Sequence, residues 1–193
     1  MNIIVDFVDF ILGDGKSHNS KGTKLHIELV PFSMHGKNAR AVLTPEEWKE
    51  TCTITHKKNR YQCVECGARK EKLECHERWF YHIKKGQTPV SEMTDLLSLC
   101  HKCHMGKHIE FAKSKGEYKE VKAHLKKVYG LNELQFLWKV YKAKKRVRWL
   151  SRFRFNLDLR YLNDRRFGIV HTMIRRKFTS NEIGNCKNIS GNE

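Results

Sequence analysis

The chain has 193 residues, 39% apolar and 31% charged, with three prolines and 12 glycines; that supports one real core and excludes collagen-like and low-complexity classes. Lys and Arg total 38 against 21 acids, a net charge of +17 with His neutral, which favours a polyanionic partner, nucleic acid first and an anionic membrane surface second. No apolar run approaches the ~18 residues of a membrane span, and Met1–Leu12, with Asp6 and Asp9 and no basic start, is a poor signal peptide, so the seven cysteines are expected in a reducing cytoplasm, as metal ligands rather than disulfides.

Ile3–Leu12 is a short apolar run, strand or buried helix, closed by Gly13-Asp14-Gly15. Leu25, Ile27 and Leu29 alternate with His26 and Glu28, which predicts a strand stopped by Pro31. Thr44-Pro45-Glu46-Glu47 opens a helix: Thr44 caps, Pro45 suits the first position, Glu47 completes a capping box, and Trp48 faces inward.

Cys63-Val64-Glu65-Cys66-Gly67 and Cys100-His101-Lys102-Cys103 are two C-x-x-C pairs. Two thiolates three residues apart bind one metal from a tight turn, and Gly67 supplies the positive φ that such a turn needs. Two pairs make a tetrahedral four-cysteine shell, the closed form of a structural zinc site. Cys52 and Cys75 fall outside this spacing; Cys75 could reach a metal but reads better as a small packed residue. His104 and His108 stand at i and i+4, one helix face, close enough to share a metal. Upstream, Leu73-Glu74-Cys75-His76-Glu77 lies in a strand-like run. Strand, loop and helix then carry His and Glu ligands to an open divalent-metal site beside the zinc. His101 reads as solvent-facing; His35, His82 and His124 read as structural, with no partner named.

Ser114 and Glu117 make a second box-like helix start, after which Tyr118, Val121, Leu125 and Val128 step at helical spacing to a stop at Gly130. Asn132 with Gln135 starts a further helix with Leu134, Leu137, Trp138 and Tyr141 on one face. Both stripes are expected in the core. Asn156–Leu159 looks extended or loop-like, and beyond Phe178 the chain is an Asn/Ser/Gly-rich tail in which Cys186 is a bystander. From Lys139 to Phe178 there are 14 Lys/Arg against Asp158 and Asp164, or +12, interleaved with Tyr141, Trp149, Phe153, Phe155, Tyr161 and Phe167. Such clusters bind phosphate backbones by counterion release. The expected contacts are Lys144, Lys145, Arg146, Arg148, Arg152, Arg154, Arg165, Arg166, Arg175 and Arg176, joined by Lys107.

The pattern Cys63-x-x-Cys66-Gly67, Leu73-Glu74-x-His76 and Leu99-Cys100-x-x-Cys103-His104-x-x-Lys107-His108 resembles the HNH endonuclease family. A weaker likeness, to a subfamily of bacteria and phages, rests on Pro31, Gly36–Arg40, Trp48, His76-Glu77-x-Trp79 and the helices Lys113–Tyr129 and Asn132–Arg148. The resemblance implies an α+β fold, a ββα-metal (His-Me) finger stabilised by the four-cysteine zinc site, with flanking helices and a basic C-terminal extension. Residues 1–43 would be an N-terminal extension with short strands, 44–112 the nuclease core, 113–178 the helical and basic nucleic-acid-binding region and 179–193 a disordered tail. It implies a metal-dependent endonuclease, nickase or double-strand cutter, acting on double-stranded DNA in the cytoplasm of a bacterium or a phage-infected host. In that reading His104 and His108 hold one divalent ion (Mg2+, Mn2+, Ni2+ or Zn2+) with Glu74 in support, and His76 or Glu77 polarises water. One alignment makes His76 a ligand and Glu77 the base; shifting by one makes His76 the base with Cys75 at the ligand position. Asp95 stands near where the family has its Asn. These departures motivate two alternatives: a zinc-finger nucleic-acid binder that has lost the chemistry, and a zinc-stabilised adaptor for an acidic protein.

Overall fold

The computed structural model describes residues 25–163 apart from Lys70. Ile3–Leu12, Cys186, the tail, Phe167 and the basic residues Arg165, Arg166, Arg175 and Arg176 lie outside the described residues. What is described is mixed α+β, a small three-stranded sheet with helices. Residues Leu25 and Ile27 are buried, as their alternation requires, yet the expected strand over Leu25–Leu29 does not form. The reason is what it docks on: the Glu28 N–H donates to the Lys107 carbonyl at 2.9 Å, a helix end rather than a strand edge.

A 3-10 turn at Phe32–Met34 leads to α1 (Ala39–Val42), whose start is capped by the Asn38 side chain. In α2 (Pro45–Lys58) the capping box of Thr44 and Glu47 is complete, and Trp48 packs against the sheet-side core. β1 (Leu73–His82) and β2 (Val90–Cys100) pair antiparallel from Leu73 opposite Cys100 to His82 opposite Val90, with a shift between Arg78 and Trp79. β3 (Asn156–Asp158) adds in parallel to β2. This register places Glu74 opposite Leu99, just where β2 runs into α3 (His101–Lys107), so the start of β1 and α3 lie side by side.

Three helices follow: α4 (Ile109–Ser114), α5 (Tyr118–Tyr129) and α6 (Glu133–Leu150). The box expected from Ser114 and Glu117 is absent, because Ser114 Oγ turns back to the Phe111 carbonyl and closes α4. The α5 stripe behaves as periodicity demands, with Val121 and Leu125 buried and Tyr118 and Val128 packed beside them. Gly130 ends α5 at φ 61, in the left-handed region. In α6 the capping box of Asn132 and Gln135 forms, but the expected core stripe is on the outside. Leu134, Leu137, Trp138 and Tyr141 are exposed, whereas Phe136, Val140 and Leu150 are buried. The helix is apolar on both sides at helical spacing, so periodicity alone does not select the inner one.

Burial is divided. Tyr81, Met93, Leu96, Leu150, Phe155 and Leu162 belong to a core around the sheet. Met105, Ile109, Leu125, Phe136 and Val140 form a second among the helices, which also takes Leu25 and Ile27. A third holds Leu97 and Leu99 with three of the cysteines. No helix among the described residues is long and apolar enough to cross a membrane.

Candidate metal centres

The first pair of cysteines sits in a turn closed by two backbone bonds, Gly67 N–H to Cys63 O and Cys63 N–H to Ala68 O, both 2.8 Å. Gly67 adopts φ 79, as the knuckle requires. Val64 N–H donates to Ser98 O at 3.0 Å and ties this turn to β2. Cys100 ends β2 and Cys103 lies in the first turn of α3, so strand and helix deliver the second pair. All four sulfurs lie within 4.8 Å of one another, inside a shell that includes Leu73, Leu97 and Leu99. Four thiols this close cannot all ionise without a cation. The Cys63 thiol is held low by bonds from Cys100 and Cys103, and the same bonding, with burial, drives the Cys103 thiol up. The donor set is that of a closed zinc site, and these four cysteines could hold a zinc ion. His124 has a partner that its sequence context did not suggest: its Nε2 is 3.2 Å from Cys103 Sγ.

A second cluster lies on the other side of α3. His76 comes from β1, His104 from α3, and His108 from the break between α3 and α4, where φ −108 and ψ 53 leave the helix. The ring centroids are 5.3 Å (His76–His104), 5.0 Å (His76–His108) and 5.2 Å (His104–His108) apart. One nitrogen from each ring lies within 4.8 Å of the others. Burial, then the neighbouring His76, keeps the His104 and His108 pKa values down, His108 to about 3. Neutral rings with free lone pairs are what a cation needs.

Carboxylates set two of these rings. Glu74 accepts from His104 Nδ1 through one oxygen and from His101 Nδ1, 2.7 Å away, through the other. His101 is exposed, as expected, yet also meets Glu117 at 2.8 Å through Nε2, and its pKa is raised first by Glu74 and then by Glu117. His76 Nε2 is 3.2 Å from Glu28 Oε2. Each pair commits one ring nitrogen and fixes which one keeps its lone pair: Nδ1 of His76 and Nε2 of His104. Sequence reading missed Glu28. Its one signal was a charged residue inside an alternating apolar segment, 48 positions from its partner.

Glu77 and Cys75 flank His76 on a strand, where neighbours point to opposite faces. Glu77 Oε1 accepts from Ala39 N–H at 2.8 Å and Arg40 N–H at 3.4 Å, and its burial raises the carboxyl to about 7. Glu77 thus lines the cleft with the three histidines while one of its oxygens is engaged by the backbone at the start of α1. Cys75 and Cys52 of α2 are both free thiols and interact by a thiol–thiol hydrogen bond, and Cys75 does not join the imidazole group. Asp95 accepts from Tyr161 Oη at 2.8 Å and Lys58 at 3.4 Å, tying the sheet to α2 and to the 3-10 turn at Arg160–Asn163. Lys107, expected to touch phosphate, is 1% exposed; its ammonium lies 2.8 Å from Glu65 and 3.7 Å from Glu28. Its burial between two carboxylates takes it out of reach of a polyanion.

The three histidines open on a cleft of about 1130 Å³. Arg146 and Arg148 of α6 line one wall, and Lys37 and Arg40, not singled out as contacts from sequence, line another. Lys144 pairs with Glu110 at 2.8 Å, while Lys145, Arg152 and Arg154 are exposed outside the cleft lining. Comparison with protein-family models gives no match, and comparison with curated proteins and with solved structures gives none either.

Proposed function

We propose that this chain is a metal-dependent endonuclease of the HNH type that hydrolyses phosphodiester bonds in double-stranded DNA. One observation carries the reading: three imidazoles converge in a cleft lined by Lys37, Arg40, Arg146 and Arg148. The hairpin of β1 and β2 leading into α3, with one ligand on the first strand and two on or just after the helix, supports a ββα-metal finger. The four-cysteine cluster beside it is suited to the structural zinc of that architecture.

A divalent ion on the three imidazoles would supply Lewis-acid stabilisation to a phosphoryl oxygen and lower the pKa of water. Nitrogen ligands suit Mn2+, Ni2+ or Zn2+ better than Mg2+. The chain's own residues do the rest. Glu28 and Glu74 hold the rings of His76 and His104 in one tautomer and orientation. The four cations lining the cleft bind backbone phosphates, and Glu77 holds the start of α1 from which Arg40 projects.

The test is nicking of supercoiled plasmid with each of Mn2+, Ni2+, Zn2+ and Mg2+. Wild-type protein should nick, and His76→Ala and His104→Ala should each lose at least about 100-fold, more than loss of a supporting residue costs. Tight, salt-sensitive DNA binding with no cleavage under any metal would replace this reading with that of a zinc-stabilised binder. The engagement of Glu77 Oε1 by the backbone N–H groups of Ala39 and Arg40 is the observation on the binder's side.

A further inference from the structure

Between the sulfur and imidazole clusters runs a row of charged side chains that ligation by either cluster leaves unexplained. Glu65 lies inside the first C-x-x-C turn and is 2% exposed. Lys107 is the last residue of α3 and is 1% exposed. Its Nζ stands 2.8 Å from Glu65 Oε1 and 3.7 Å from Glu28 Oε1, and the other oxygen of Glu28 is 3.2 Å from His76 Nε2. The backbone repeats the link, since the Glu28 N–H donates to the Lys107 carbonyl. Removing such groups from water costs several kcal/mol per ion before pairing restores any of it. Apolar residues of similar volume would hold the fold as well or better, so stability alone does not explain the row.

Its geometry has a direction. Glu28 sits on a segment with no strand or helix of its own, so its carboxylate needs an anchor. Lys107 supplies one by charge, its ammonium lying within ion-pair distance of both Glu65, in the backbone-bonded cysteine turn, and Glu28. Glu28 in turn commits Nε2 of His76 and leaves Nδ1 with its lone pair.

We propose that Glu28 and Lys107 are positioning residues, which transmit the rigidity of the cysteine turn to the His76 ring and so set the affinity of the imidazole cluster for its divalent ion. This rests on the imidazole cluster being a metal site, as in the reading above, and the test separates the two. Co2+ added to the full chain reports on both clusters, through sulfur-to-cobalt charge transfer at the cysteines and ligand-field bands at the imidazoles. Nitrogen NMR shifts of the His76 ring report its tautomer. Glu28→Ala and Lys107→Met should each weaken Co2+ at the imidazoles roughly 10–100-fold while the charge-transfer band stays, which also certifies that the variant is folded. Glu28→Gln keeps an acceptor and should restore most of the affinity and the Nε2–H tautomer that Glu28→Ala loses. If Lys107→Met fails to fold, the Glu28 pair decides alone, because Glu28 is 15% exposed against 2% for the Lys107 side chain, and Glu28→Gln keeps its shape. Wild-type binding at the imidazoles with equal affinity in the Glu28 variants overturns this inference and leaves the nuclease reading standing. A wild-type protein that takes up Co2+ only at sulfur overturns both.

Discussion

Cys63, Cys100 and Cys103 are at most 2% exposed and share their cluster with Leu97 and Leu99, whereas the side chains of His104 and Glu74 are 23% and 32% exposed and deal with other polar groups. Both clusters draw on the same seven-residue helix, α3. Cys103 faces one and His104, the next residue, faces the other. The difference lies in what surrounds them. Apolar walls and a complete set of four sulfurs leave nothing for a substrate to meet, which suits an ion that shapes the chain. Three imidazoles, two of them steered by carboxylates, that open to a cleft leave coordination positions free, which suits an ion that acts on something else. The lesson is that sulfur site and nitrogen site can be separated by experiment although they are neighbours in sequence.

Breaking the sulfur side should have the largest effect. Cys103→Ala, or a strong zinc chelator, removes binding free energy on the order of 10 kcal/mol that is also folding free energy. The expected outcome is loss of cooperative thermal unfolding and of both clusters at once, read by calorimetry and metal content. A Cys103→Ala protein that melts like wild type would end the structural-zinc assignment. Breaking the nitrogen side should look different. His104→Ala should keep one zinc per chain and its melting transition, yet lose at least about 100-fold in nicking, beyond the cost of a supporting group.

The cleft wall is expected to be milder. Arg148→Ala should lower the slope of log affinity against log salt by about one and weaken all DNA sequences alike, measured by fluorescence anisotropy across a salt series. Smallest of all should be Glu77→Gln. The amide oxygen still accepts from the N–H groups of Ala39 and Arg40, so nicking should stay within a few-fold of wild type. A loss as deep as that of His104→Ala would give Glu77 the role of base.

The four cysteines and the His104–His108 pair were legible in the sequence because their spacing is short: C-x-x-C twice, and His at i and i+4; His76, far upstream, was found through its strand-like run. Capping was legible for the same reason, at Thr44 with Glu47 and at Asn132 with Gln135. What was hidden depends on distant partners. Glu28 meets His76 across 48 positions, and His124 meets Cys103 across 21. Lys107 looks like any surface lysine until Glu65 and Glu28 close over it. On α6 a long apolar helix offered two faces, and only the packing against α5 chose Phe136 over Trp138. Phe136→Ala should therefore cost about 3–5 kcal/mol in chemical denaturation, against under about 0.5 kcal/mol for Trp138→Ala at the surface.

The shortness of α3 reaches beyond this geometry. A helix of seven residues does not persist alone in water, where about 12 to 15 are needed. This one is fastened where it begins, by Cys100 and Cys103, and pressed on α5 at Gly106, where even a methyl group would come within 2.8 Å of Leu125. During synthesis, then, α3 has to wait for the partners that fasten it, of which α5 emerges after it. With zinc on the four cysteines, His104 and His108 would meet His76 only after the thiols had captured their ion, so assembly of the imidazole cluster would depend on the sulfur cluster.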